Sequence, residues 1–228
     1  MISFSGWDIL LILVVTTQAT ILSYLHHPRW KAFILTLPIP FSLAFLSLGH
    51  PIDTTNIAAL NILLLFIHAV RWMHLRWGLP IILAIALGTA GYALVGTGLA
   101  AILPVDPLSF WLVTAFTLGL SLFILRFCPA REEPGHRSPL PVWIKAPLIA
   151  LVIVGLVLIK NNLKGFMPAF PMVTVIAAYE ARHSLWTMSR QVNLLIPLII
   201  PMMIVLQWTQ PILGTAGALA VSWLVFLC

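Results

Sequence analysis

Apolar runs long enough to cross a bilayer follow one another along almost the whole chain, separated by short polar or Pro/Gly-rich stretches. A helix rising about 1.5 Å per residue needs roughly 20 such residues to traverse a hydrocarbon core. The runs are continuously apolar, where the strands of a membrane barrel would alternate, so helices are the expected way of satisfying the backbone in lipid. With 61% hydrophobic and 8% charged residues, there is too little charge to coat a water-soluble globule. The expected spans lie near 9–25, 33–49, 55–70, 79–103, 108–126, 142–160, 166–180, 191–207 and 210–228. The opening segment, MISFSGWD, lacks a basic n-region, so the first run reads as a retained span and not a cleaved signal peptide.

Charge placement tests that count. Ten of the 12 basic residues fall in one set of loops: Arg29, Lys31, Arg71, Arg76, Arg126, Arg131, Arg137, Lys145, Arg182 and Arg190. The opposite set holds only Lys160 and Lys164, together with Asp8, Asp53 and Asp106. The positive-inside rule then places the protein in the cell inner (plasma) membrane with its N-terminus outside and its C-terminus cytoplasmic. The basic balance is an orientation signal, so nucleic acid is not an expected partner. Trp30, Trp72, Trp77, Trp143 and Trp186 beside the basic loops read as interfacial anchors.

The strongest internal signal is a repeat. Leu-Gly-Thr-Ala-Gly occurs at Leu87 to Gly91 and again at Leu213 to Gly217. Upstream, each half carries a proline pair, Pro38 and Pro40 in one and Pro168 and Pro171 in the other. Asn61 and Asn193 follow these pairs at closely similar spacing. A four-span unit followed by one crossing must begin its copy from the opposite face. The expected fold is therefore an all-α polytopic membrane protein of about nine transmembrane helices, built from two inverted four-helix repeats joined by a linker helix. Residues 1–104 form the first repeat, 105–141 the linker helix and cytoplasmic loop, and 142–228 the second repeat.

The stretch KNNLKGFMPAFPMVTVIAAYEARHSLWTMSRQVNLLIPLIIPMMIVL resembles the GlpM group of small bacterial membrane proteins, with Met172 where that group usually has Thr. The resemblance implies a small four-span inner-membrane unit, weakly repeated in the first half, and carries no activity with it.

Each proline pair is able to end one helical segment and start another, leaving a helix N-terminus inside the membrane for an anion or a polar carbonyl; Pro at the first turn of an ordinary helix is the alternative. Ser42 and Thr174 add hydroxyls beside these positions, either for a solute or for their own helix backbone. Asn61, Asn193 and Gln18 need polar partners within the spans, through helix packing or through a solute. His68 is the histidine placed deep in a span, with the same two readings. The glycines of the repeated pentapeptide read as packing surface. The EEPGHR segment resembles the EExxxR motif of intramembrane CAAX-type proteases, but it contains Pro134 and Gly135 in a loop and has no partner histidines, so a solvated loop is expected. The acidic residues fall at span ends or in loops, which argues against cation exchange.

Together these features point to a transporter or channel-like carrier for a small anionic or neutral solute, with its site at the interface of inverted repeats. The alternatives are a structural or accessory subunit of a membrane complex and a membrane-embedded lipid-processing enzyme. No enzyme activity, metal site or cofactor is expected, since no nucleophile, carboxylate pair or ligand cluster converges in the spans. The partners expected are the lipid bilayer, the solute and, in principle, further copies of the chain as a homo-oligomer.

Overall fold

A computed structural model describes residues 6–136, 139–158 and 163–228. The protein is 81% helical, and no strand occurs among the described residues. The helices are α1 (Gly6–Tyr24), α2 (Pro28–Thr36), α3 (Ile39–Leu48), α4 (Thr54–Leu75), α5 (Ile81–Ile102), α6 (Pro107–Phe127), α7 (Val142–Leu158), α8 (Met172–Glu180) and α9 (Leu185–Leu227), with a short 3-10 turn at Lys164–Phe166. Large apolar side chains stand exposed around the outside, among them Leu94, Ile102, Leu112, Phe116 and Leu151. Such a surface is stable only in lipid. The chain is a helical membrane protein.

Local chemistry sets the helix ends. Pro28 occupies the first turn of α2, and the His27 ring Nδ1 accepts the Arg29 N–H at 3.2 Å. Asp53 and Asn56 form a reciprocal capping box at the start of α4. Asp106 caps α6, and its hydrogen bonds from Ser109 hold its carboxyl below the usual range. At the start of α9, Ser184 makes no side-chain cap; Glu133 takes over by accepting from the N–H groups of Trp186 and Thr187. The EEPGHR acid thus has a structural task that its sequence context does not reveal.

Among the described residues six segments are long and apolar enough to cross a membrane, α2 and α3 counting together as Pro28–Leu48. The nine expected spans differ from these in three places. Helix α7 is a shorter apolar helix of 17 residues. The run at 166–180 is divided between the 3-10 turn and the nine-residue α8. The last two runs are joined in α9, which bends at Gly214 through a backbone conformation (φ 68°, ψ 174°) that favours glycine. Gly88, its partner in the repeated pentapeptide, sits in the regular interior of α5 against Val70 and Phe66. The two pentapeptides therefore do not share a conformation.

Helix α4 and the first half of α9 form the centre, with α6 packed against both; α1 packs on α3 and α7, and α2 on α9. Polar contacts tie the helices together. Gln18 Nε2 donates to the Ile34 carbonyl at 2.8 Å, joining α1 to α2. Asn56 Nδ2 donates to the Gly165 carbonyl at 2.8 Å and the Tyr92 hydroxyl to that of Phe166 at 2.9 Å, pinning the 3-10 turn to α4 and α5. Gly165 is needed there because a Cβ would collide with Thr55. Asp8 and Glu180, expected at span ends, are both buried. Asp8 accepts a hydrogen bond from Ser47, and Glu180 pairs with Lys145 at 2.7 Å.

Candidate functional site

The run that the sequence presents as one span at 33–49 is broken. Leu37, restricted by the proline that follows it, adopts an extended conformation (φ −64°, ψ 122°) and ends α2. Pro38 then starts α3 with φ −78° and ψ 32°. In the other half Pro171 starts α8 with φ −74° and ψ 44°. The backbone thus equates Pro38 with Pro171, whereas the sequence pairs them in order within their doublets, Pro38 with Pro168.

Both breaks open on one cavity of about 60 Å3. Pro38, Pro40 and Phe41 line it from one break, and Pro168, Phe170, Val173 and Thr174 from the other. Leu60 and Leu63 of α4 and Leu195 and Ile199 of α9 complete the wall, with Leu35 and Leu37 at the end of α2. The lining is mostly apolar; its polar character comes from the helix starts. The first N–H groups of a helix have no carbonyl partner within it. Pro40 has no N–H, so the first-turn donors of α3 without a backbone partner among the described residues are Ile39 and Phe41; Met172 N–H bonds the Phe170 carbonyl, which leaves Val173 and Thr174 in α8, and of these four Phe41, Val173 and Thr174 line the cavity. Thr174 adds its hydroxyl. That residue is 6% exposed and lines the cavity, and its hydroxyl makes no hydrogen bond to a described residue. The site is able to bind an anion or the oxygen of a neutral solute through fixed donors in a low-dielectric setting.

The remaining candidates lie elsewhere. Ser42 sits on the buried side of α3, donating to the Pro38 carbonyl at 2.8 Å and accepting from Trp223 Nε1 at 2.9 Å. Gln18 is occupied by Ile34 as described. Asn61 Nδ2 donates to the Thr117 hydroxyl of α6 at 2.7 Å. Asn193 Nδ2 donates to the Ser189 carbonyl at 2.9 Å and lies 3.0 Å from His68 Nε2, while the Asn193 backbone carbonyl accepts from the Ser121 hydroxyl of α6 at 2.7 Å. The two asparagines therefore meet α6 one turn apart, away from the cavity. His68 also faces a groove of about 540 Å3 between α4 and α6 with Arg71 and Phe123. No group of three or more His, Cys, Asp or Glu suited to a metal exists among the described residues.

The leucines, isoleucine and phenylalanines of the wall escape sequence reasoning because an apolar residue facing a small cavity has the same pattern as one facing the core. A signal exists only for Leu37, Phe41 and Phe170, each adjacent to a proline of its break.

Comparisons with protein-family models, with curated proteins and with solved structures find no match to this chain.

Proposed function

We infer that the protein is a membrane transporter or channel-like carrier for a small anionic or neutral solute, with its site in the cavity between the two proline breaks. The observation that carries this reading is the convergence of two helix starts, from distant parts of the chain, on one cavity that also holds an unengaged threonine hydroxyl. Discontinuous helices meeting inside the membrane are the way transporter folds present backbone dipoles to a solute. On this reading the short α7 and the segment from the 3-10 turn through α8 also cross the membrane, α9 crosses twice, and α6 links two inverted units, the second of which carries the GlpM-like stretch. Basic loops face the cytoplasm. The protein performs no covalent chemistry.

The test is solute flux in proteoliposomes with the cavity filled. Val173→Phe and Leu63→Trp, placed on opposite walls, are expected to stop uptake of the transported solute while the protein elutes as a folded species. Undiminished flux in both, with folding intact, overturns the site.

A further inference from the structure

At the end of the bundle where α2 and α9 begin, a second hollow of about 630 Å3 lies between their first turns and the stretch after α6. Its wall holds three guanidiniums, from Arg29, Arg131 and Arg190, and two carboxylates, from Glu132 and Glu133. These charges do not cancel in pairs. Glu133 is committed to the start of α9, accepting from Trp186 and Thr187 N–H at 3.3 and 2.6 Å. None of the three arginines forms an ion pair with either acid; Lys145 with Glu180 is the one such pair among the described residues.

Two of the guanidiniums are held in place. Arg190 Nε donates to the Cys128 carbonyl at 3.1 Å, and its two terminal nitrogens bond no described residue. Arg131 lies over the Trp186 ring at 3.8 Å, and Trp186 is itself fixed through Nε1 to the Pro129 carbonyl at 2.8 Å. A fixed guanidinium with unused N–H groups is preorganised for an oxyanion or halide.

The hollow is aligned with the cavity between the proline breaks. On α9, Thr187 and Gln191 line the hollow, and Leu195 and Ile199 line the cavity. Residues four apart share a helix face, so this is one stripe descending about 6 Å per step. On α2, Pro28, Arg29 and Ala32 line the hollow and Leu35 the cavity, again along one face. Leu35 and Leu195 are the first cavity residues below Ala32 and Gln191.

We propose that the hollow is a cationic vestibule that collects the solute, and that the solute is a small monovalent anion. This rests on the transport reading of the inner cavity. The vestibule supplies full positive charge in a volume that accommodates a hydrated ion. The inner cavity supplies only neutral donors, which do not offset the desolvation of a second charge. At about 60 Å3 it is a tenth of the hollow's 630 Å3, a constriction that selects against bulky carboxylates and nucleotides.

The test places Gln191→Cys in a Cys128→Ser/Cys228→Ser background, reconstituted in phosphatidylcholine vesicles. Modification of Cys at that position by a membrane-impermeant thiol reagent is followed with chloride, formate or citrate present, and formate and chloride flux is measured in the same vesicles. All three anions are expected to slow modification, and only chloride and formate to cross. Arg190→Gln is expected to raise the half-protecting concentration by about tenfold or more, the value of one charge-assisted contact, and Arg190→Lys by less. Arg29→Gln changes an exposed side chain that bonds no described residue, so it preserves the fold and is expected to raise the same concentration.

Protection that is absent, or unchanged in the arginine variants, overturns the vestibule. Protection that appears only when phosphatidylglycerol is added marks a lipid headgroup site and overturns it as well. Crossing by citrate overturns the size limit. Arginine-dependent protection without any flux sinks the transport reading and leaves the anion site standing; flux indifferent to the arginines does the reverse.

Discussion

Pro38 and Pro171 hold the same backbone conformation, φ −78°, ψ 32° and φ −74°, ψ 44°, and from each a short helix departs beside the same cavity. A proline produces such a break locally, by restricting the residue before it and by lacking an N–H. Convergence of the two breaks is a property of packing. Helices α4 and α9 stand at the centre and supply Leu60, Leu63, Leu195 and Ile199 as the walls against which both breaks are held.

Thr174 and Ser42 are expected to respond in opposite ways to loss of the hydroxyl. Thr174→Val keeps the side-chain shape and removes a hydroxyl that bonds no described residue, so stability should change by no more than about 0.5 kcal/mol while flux falls by about tenfold. Ser42→Ala removes the acceptor of Trp223 Nε1 and should cost about 1 kcal/mol with flux per folded molecule retained. Thermal unfolding in detergent and flux in proteoliposomes measure the two effects; a Thr174→Val variant that transports normally removes this hydroxyl from the site.

The helical membrane character was legible because it follows from the length and continuity of apolar runs, which are local properties. The proline pairs were legible for the same reason as places where a helix either breaks or begins, and the break between α2 and α3 is known from the fold. Three things were not. The repeated pentapeptide contains small residues with no conformational demand of their own, so Gly88 lies in a regular helix while Gly214 bends α9. Gln18, Asn61 and Asn193 announce a need for partners but not which ones; Ile34, Thr117 and His68 lie on other helices. Arg29, Arg131 and Arg190 read as an orientation signal because they come from three separate loops, and only the fold gathers them around one hollow.

Asn193 and Asn61 should differ in structural weight. Asn193→Leu removes the bond to the Ser189 carbonyl and leaves His68 Nε2 without its partner. In a membrane each such interhelical bond averages about 0.6 kcal/mol, so a loss of about 1–2 kcal/mol is expected. Asn61→Leu leaves Thr117 bonded to the Val113 carbonyl at 2.7 Å and should cost less. Thermal unfolding of both variants, with His68→Leu to close a double-mutant cycle, measures the difference; a zero coupling between Asn193 and His68 contradicts it.

The Lys145–Glu180 pair should be costly to break and cheap to delete. The side chains are 5% and 1% exposed and 2.7 Å apart. Glu180→Gln leaves a buried ammonium without its counter-charge and is expected to destabilise by about 3–5 kcal/mol. Lys145→Met combined with Glu180→Leu removes both charges and should recover part of that loss, since the buried Lys31 ammonium still loses the Glu180 charge beside it. The bond from Lys31 Nζ to the Glu180 carbonyl, at 2.9 Å, is to the backbone and survives both changes. Unfolding temperatures in detergent discriminate; a double variant no better than Glu180→Gln shows that packing, not charge, is lost.

Acid should loosen the stretch after α6 through His136. Its Nε2 lies 3.2 Å from Arg182 Nη2, its ring 5.2 Å from that of His183, and its carbonyl accepts from Lys31 Nζ at 2.8 Å. Desolvation, followed by the charges of Arg182, His183 and Lys31, pushes the imidazole below its ordinary value of 6.5, and Glu180 opposes this only in part. The sign follows from linkage. An unfolded chain takes up the proton at a higher pH than the folded one, so stability is unaffected well above 6.5, falls as the pH drops through that value, and levels off below the lowered folded value. The effect is modest because the ring is mostly solvated. His136→Gln retains a neutral polar side chain and cannot charge, so the difference in unfolding temperature between wild type and variant should be constant above neutrality and shift in favour of the variant on acidification. A difference that does not vary with pH across that window shows that His136 does not titrate against Arg182.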